Sequence, residues 1–171
     1  MSQDTSQRRV VITGYGMITP TGKSTTETFE KACNGISGID YITSFDTRGL
    51  PCQIGGEVDN KWIEELENQK DQRFNKFSSR ALRLMRIATS EAALQARLDE
   101  ISDRTRLGVA LGSHGDNLPV EDMMFLHRFY DGDGHWKMIK LMQAGGYSYL
   151  NFFRRKPDVA SSLLAMLFNC K

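Results

Sequence analysis

Residues Val10-Val11-Ile12-Thr13-Gly14-Tyr15-Gly16-Met17-Ile18-Thr19-Pro20-Thr21-Gly22 constrain the fold more than any other stretch of the chain. Val10 to Thr13 are all β-branched, and two heavy atoms on Cβ suit a pleated surface better than a helix, so this run is predicted to be a buried strand. Gly14 and Gly16 then let the backbone turn, and Pro20 and Gly22 continue the turn chemistry. Ser24-Thr25-Thr26-Glu27 has capping-box spacing, with Ser24 placed to accept from a backbone N–H and Glu27 to reach back. A helix is predicted from there, with Phe29, Ala32 and Cys33 as its apolar contacts and a left-handed end at Asn34-Gly35.

A strand, a glycine turn and a helix also describe the start of a nucleotide-binding unit. The dinucleotide fingerprint needs a third glycine at the helix packing position, and here Gly14-Tyr15-Gly16 is followed by Thr19. The helix also begins too late to hold a pyrophosphate at its N-terminus. A phosphate loop of the Walker type fits no better, because Met17 stands where the glycine five positions before Gly22 is required.

The 171 residues, 40% hydrophobic and 25% charged, suffice for one domain with a core. A net charge of +1 gives no reason to expect nucleic acid or an acidic membrane surface as a partner. Cys33, Cys52 and Cys170 are odd in number and widely spaced, which reads as reduced thiols in a cytoplasmic protein. No apolar stretch is long enough for a membrane span, and residues 1–9 form a polar tail without a signal-like apolar region, leaving residues 10–171 as the domain.

Further along, Cys52 to Val58 contains a short strand-like piece broken by Gly55-Gly56, and Asp59-Asn60 offers a cap for a helix carrying Trp62, Ile63 and Leu66. The strongest helical pattern runs from Ser78 or Ser79 to Leu98. Phe77, Ala81, Leu84, Met85, Ala88 and Ala92 recur at three- and four-residue intervals, which leaves Arg80, Arg83 and Arg86 for a solvated side. Arg106 to Ser113 reads as a second buried strand closed by a glycine-serine turn. Two such strands separated by a long helix are what an α/β sheet with crossover connections produces. Two short helices follow, Pro119 to Tyr130 and His135 to Gln143, split by Asp131-Gly132-Asp133-Gly134, which lacks the further oxygen ligands of a calcium loop and reads as a turn. Pro157 suits the first position of a last helix carrying Val159, Leu163, Leu164 and Leu167.

Several stretches, in order along the chain, resemble the β-ketoacyl-acyl-carrier-protein synthases. The run Val10 to Gly22 resembles the family's first strand and turn, and Gly35-Ile36-Ser37-Gly38-Ile39 with Phe45-Asp46-Thr47 resembles its next loop. Gly56-Glu57-Val58 matches the family's Gly-Glu-Val, Lys70-x-x-Arg73-x-x-Lys76-Phe77-Ser78 matches the approach to its long helix, and Arg106 to Ser113 resembles its second core strand. The match loosens from Asn117 to Asn151.

The resemblance implies a thiolase-like fold, an αβαβα layered sandwich, here an incomplete N-terminal part, in proteins that usually form homodimers. It implies an acyltransferase that extends fatty-acid or polyketide chains by decarboxylative condensation. A cysteine thiolate attacks the acyl thioester, and positioned donors stabilise the charge that develops on oxygen. Acyl groups arrive on the phosphopantetheine arm of acyl-carrier protein, so no tightly bound cofactor or metal is expected. The family's cysteine lies in a Thr-Ala-Cys-type motif after the helix that ends near Asn169-Cys170-Lys171, and its histidines come from the second half of the fold. Cys170, after Phe168-Asn169, lacks that context, and His114, His127 and His135 are not those histidines; no catalytic residue is therefore assigned in this chain. Gly115, in Gly112-Ser113-His114-Gly115, stands where many relatives carry a bulky residue lining the acyl tunnel. It would leave the tunnel more open to longer or branched acyl groups; the alternative, favoured by the loose register, is that it lies off the lining.

Three readings follow: an N-terminal synthase segment truncated before its catalytic cysteine, a non-catalytic partner like the chain-length factors of polyketide systems, or a standalone interaction module. Expected partners are acyl-carrier protein and either a second copy or the C-terminal half. Met123, Met124, Phe125, Phe129, Trp136, Met138, Met142, Tyr147 and Tyr149 exceed what two short helices can bury against each other, which points to assembly through residues 117–151 unless they pack wholly within their own protomer. The 171-residue chain on its own is expected to show no condensing activity with acyl-carrier-protein or coenzyme A thioesters. Acyl transfer onto Cys33, Cys52 or Cys170 followed by chain extension, followed by mass spectrometry, would overturn this.

Overall fold

A computed structural model describes residues 9–67, 72–113, 120–145, 150, 154 and 156–170, so the predicted tail is represented only by exposed Arg9 and otherwise lies outside the described residues. The chain divides into two compact units, one of Met1–Asn68 with Leu84–Ser102 and the other of Gln69–Arg83 with Asp103–Lys171.

In the first unit, α1 spans Thr25–Cys33, and Ser24 caps it by accepting from the Glu27 N–H at 3.2 Å. Glu27 reaches back to the N–H of Lys23, the residue before the cap, at 3.0 Å, so the cap satisfies one orphan donor of the first turn and fixes the chain entering it. At the other end Gly35 has φ +69°. The N–H of Gly35 donates to Ala32 O and that of Ile36 to Lys31 O, closing the helix through a left-handed residue. The predicted apolar contacts of α1 are not buried: Phe29 and Cys33 are exposed. The helix is held by its termini instead.

Strand β1, Ile39–Tyr41, pairs antiparallel with β2, Ile54–Gly56, in the register Ile39 to Gly56, Asp40 to Gly55 and Tyr41 to Ile54. The glycines thus sit within the second strand rather than breaking it, and the turn Thr19–Gly22 explains one of them. A Cβ on Gly56 would lie 2.8 Å from Pro20 Cγ, and one on Gly38 would lie 2.8 Å from Thr21 Cγ2. Helix α2, Asn60–Glu67, starts where Asp59 accepts from the Lys61 N–H at 2.9 Å, and it buries Ile63.

The long helical pattern predicted from Ser78 or Ser79 forms α4, Arg80–Gln95, and a separate short helix, α3, Gln72–Phe77, precedes it. Ser79 begins α4 by accepting from the Leu82 N–H at 3.2 Å. Arg97 at φ 50° then leads into a single 3-10 turn, Leu98–Glu100, which ends the helix short of the predicted Leu98. The expectation that the arginines face solvent fails at Arg86, which is 7% exposed. A helix covered on more than one side buries residues that a single apolar stripe would leave outside.

Neither predicted core strand forms a ladder among the described residues. Val10 and Ile12 are 95% and 86% exposed, so the β-branched run is not buried. Arg104–Arg106 is a 3-10 turn, and residues 107–113 are irregular. Even so, half-buried Leu107, Val109 and Leu111 alternate with exposed Gly108, Ala110 and Gly112. The period-2 side-chain pattern is present, but among the described residues no neighbouring strand pairs with it, and a β-strand is defined by that neighbour.

Among the described residues of the second unit, the buried side chains are Phe74 on α3, Ser78, Leu82 on α4 and Leu164 on α7, the last helix, Pro157–Leu167. Full burial of each leucine is worth about 1.5–3 kcal/mol. Pro157 occupies the first turn of α7 as predicted. Asn169, at φ 51°, closes it: Asn169 N–H donates to Met166 O and Cys170 N–H to Ala165 O. Between these helices α5, Val120–His127, and α6, Met138–Gln143, flank a hairpin in which Tyr130 and Trp136 are bridged.

What holds the Val10–Ile18 run is close approach to α4. Gly14, Gly16 and Ile18 are half-buried and alternate with exposed Tyr15 and Met17. A Cβ on Gly14 would run into the Ala92 carbonyl oxygen and lie 3.0 Å from Ala96 Cβ, and one on Gly16 would run into the Ala88 carbonyl and lie 2.9 Å from Ala92 N. Gly16→Val is therefore expected to unseat the run and lower stability by about 3 kcal/mol or more in urea unfolding. Gly108→Ala, where an added methyl meets nothing within 4 Å, is the control. Equal midpoints for the two variants would refute the seat.

Candidate functional site

The seat on α4 is reinforced by two polar side chains of that helix, four residues apart and so on one face. Gln95 Oε1 accepts from the Tyr15 N–H at 2.8 Å. Glu91 Oε2 accepts from the Met17 N–H at 2.9 Å, and the same carboxylate accepts from the Thr25 N–H at 2.9 Å and the Thr25 hydroxyl at 3.2 Å. One carboxylate therefore ties the Tyr15–Met17 run, the first turn of α1 and α4 together, and its position at the N-terminus of α1 is electrostatically favourable. Between run and helix the turn is closed by Thr19, whose N–H donates to Gly22 O at 2.9 Å and whose hydroxyl lies 2.8 Å from that of Thr21 and 3.0 Å from that of Thr28. Gly14 and Gly16 thus seat the run on α4, and the Thr19–Gly22 turn leads from it into α1. Glu91 and Gln95 escaped the sequence reading, although their spacing within the Ala88, Ala92, Ala96 series put them on that same face.

A second clamp sits at Gly56-Glu57-Val58. Glu57 accepts from the Thr43 N–H and the Thr43 hydroxyl, each at 2.8 Å, and from the Ser44 N–H at 3.1 Å. Donation from the Ser44 side chain, then from the Thr43 backbone and hydroxyl, pulls the Glu57 carboxyl down to about 2. Next to it, Arg48 pairs with Asp46 through Nε at 2.9 Å and Nη2 at 2.6 Å, and that guanidinium holds the Asp46 carboxyl below its ordinary range. These carboxylates order the loop that follows β1 by accepting its own donors.

The remaining candidates do not converge. His127, in the last turn of α5, is exposed with its ring 6.5 Å from Tyr130, and His135 is exposed in the hairpin. His114 and Gly115 lie outside the described residues. Cys33 and Cys52 are exposed thiols and Cys170 is half-buried at the end of α7. Asp131 Oδ1 accepts from the N–H groups of Asp133 at 3.1 Å and His135 at 3.2 Å, with Gly132 and Gly134 both at φ +88°, so the Asp-Gly repeat serves its own turn. Among the described residues no group of three or more His, Cys, Asp or Glu is arranged to hold a metal ion.

The surface of α5, the hairpin and α6 is the other notable feature. The Phe125 and Phe129 rings meet at a tilt with centroids 5.3 Å apart, and those of Tyr130 and Trp136 likewise at 5.4 Å, yet Trp136 remains 48% exposed, and Met123, Met124, Met138, Ile139 and Met142 are also exposed. These apolar side chains are left uncovered by the other described residues.

Residues 7–171 match the family model described as "Beta-ketoacyl synthase, N-terminal domain". The chain is 39% identical over 116 residues to a 3-oxoacyl-[acyl-carrier-protein] synthase 2 of Staphylococcus aureus, a match covering 66% of this chain and 26% of that protein. It is 33% identical over 110 residues to the chloroplastic 3-oxoacyl-[acyl-carrier-protein] synthase II of Arabidopsis thaliana, covering 64% of this chain and 20% of the relative. The matched stretch thus spans about a quarter or less of the length of these curated relatives.

The Glu57 clamp has a definite pH signature. Because the folded carboxyl titrates below its ordinary value, its stabilisation is complete above about 4.5 and is lost as pH falls toward about 2. Carbon-13 NMR of the Glu57 carboxyl is expected to give a midpoint near 2, and Thr43→Ala with Ser44→Ala is expected to move it up toward the ordinary glutamate value. An ordinary midpoint in the unsubstituted protein would refute the clamp.

Proposed function

The chain belongs to the β-ketoacyl synthase N-terminal domain family, and from that membership we propose that it is the N-terminal segment of a 3-oxoacyl-[acyl-carrier-protein] synthase. The observation that carries this reading is the family match along residues 7–171, joined to relatives that are named as such synthases. In the full synthase a thiolate takes the acyl group from the carrier's thioester and releases the carrier's sulfur as thiolate. Loss of carbon dioxide from a carboxylated extender thioester generates the carbon nucleophile, which attacks the enzyme-bound acyl group and expels the thiolate. In this proposal the chain's own residues build scaffold: Gly14 and Gly16 on α4, Glu91 across three segments and Glu57 over the 43–44 loop. They hold backbone segments in place rather than reacting.

The proposed architecture of the full protein is the thiolase-like layered sandwich, in which the Val10–Thr13 and Leu107–Leu111 runs gain strand neighbours. Acyl-carrier protein is the proposed partner, its phosphopantetheine arm delivers the acyl group, and no tightly bound cofactor is needed. The proposed compartment is the cytoplasm; among the described residues no helix is long and apolar enough to cross a membrane.

The full-length protein is expected to condense an acyl-carrier-protein thioester with a carboxylated extender thioester, releasing one carbon dioxide per elongation, read by mass spectrometry of the carrier-bound product. Decarboxylation or carrier binding without elongation would support the non-catalytic partner instead. In the same assay a shift of Gly115→Phe toward shorter acyl chains by about tenfold or more, the least that such added bulk produces in a hydrophobic pocket, would put Gly115 on the tunnel lining, against the off-lining position that the loose register favours. Unchanged chain-length preference would take Gly115 off the tunnel lining.

A homodimer is the proposed assembly, supported by the exposed methionine and tryptophan surface of α5, the hairpin and α6. Trp136→Ala is expected to weaken self-association by about tenfold or more in sedimentation equilibrium, as removal of a buried aromatic anchor does. Amide protection of α7 should persist in that variant. Unchanged association alongside lost protection of α7 would make Trp136 part of the internal packing of its own unit.

A further inference from the structure

We draw no further inference here: the strongest candidate, the exposed β-branched run Val10-Val11-Ile12 that extends beyond the Gly14 and Gly16 seat on α4, carries nothing because nothing in the structure shows which chain or segment covers it.

Discussion

The contact between the Gly14–Gly16 segment and α4 is the constraint from which the first unit is built. Two backbones can approach this closely only if neither carries bulk between them, and here glycine on one side meets the backbone at Ala88, Ala92 and Ala96 on the other. Close approach brings the backbone N–H groups of Tyr15 and Met17 within reach of Gln95 and Glu91. Glu91 then extends the same fixation to the first turn of α1. A side chain at either glycine would therefore cost more than its own clash, because the hydrogen bonds on both flanks depend on the separation it enforces.

The Glu57 clamp repeats this logic on a smaller scale. A two-stranded ribbon of three residues per strand is marginal alone. It is supported by the Pro20 turn packed against Gly38 and Gly56, and by a carboxylate that gathers the donors of Thr43 and Ser44. Glycines at 14, 16, 38 and 56 and the glutamate at 57 are among the residues that carry the family resemblance. The structure gives each a scaffolding task, which accords with a segment proposed to position substrate chemistry performed by other residues.

Helix starts and stops were legible because their determinants lie within a few residues of each other. Ser24 with Glu27, Asp59 with Lys61, and Pro157 each act inside one turn of chain. The Asn34-Gly35 stop was equally local. Strands were not legible in the same way. β1 went unnoticed because Ile39-Asp40-Tyr41 is too short to display periodicity, and it exists through its pairing with Ile54–Gly56. Val10 to Thr13 and Arg106 to Ser113 displayed the composition of strands yet have no ladder among the described residues. Arg86 was assigned to solvent by its place opposite the apolar stripe, but burial of a helix depends on how many neighbours cover it.

By itself the sequence determined the family, the helix boundaries set by local caps and the exclusion of a dinucleotide fingerprint, because each depends on residue identity at short, fixed spacing. Only the tertiary structure decided that Glu91 and Gln95 hold the first run, across 74 and 80 residues of chain. It alone decided that Glu57 closes the 43–44 loop and that the β-branched residues lie uncovered. Those outcomes turn on which backbone donors meet which acceptors after distant segments pack, and a spacing rule cannot specify a partner that chain topology has yet to bring near.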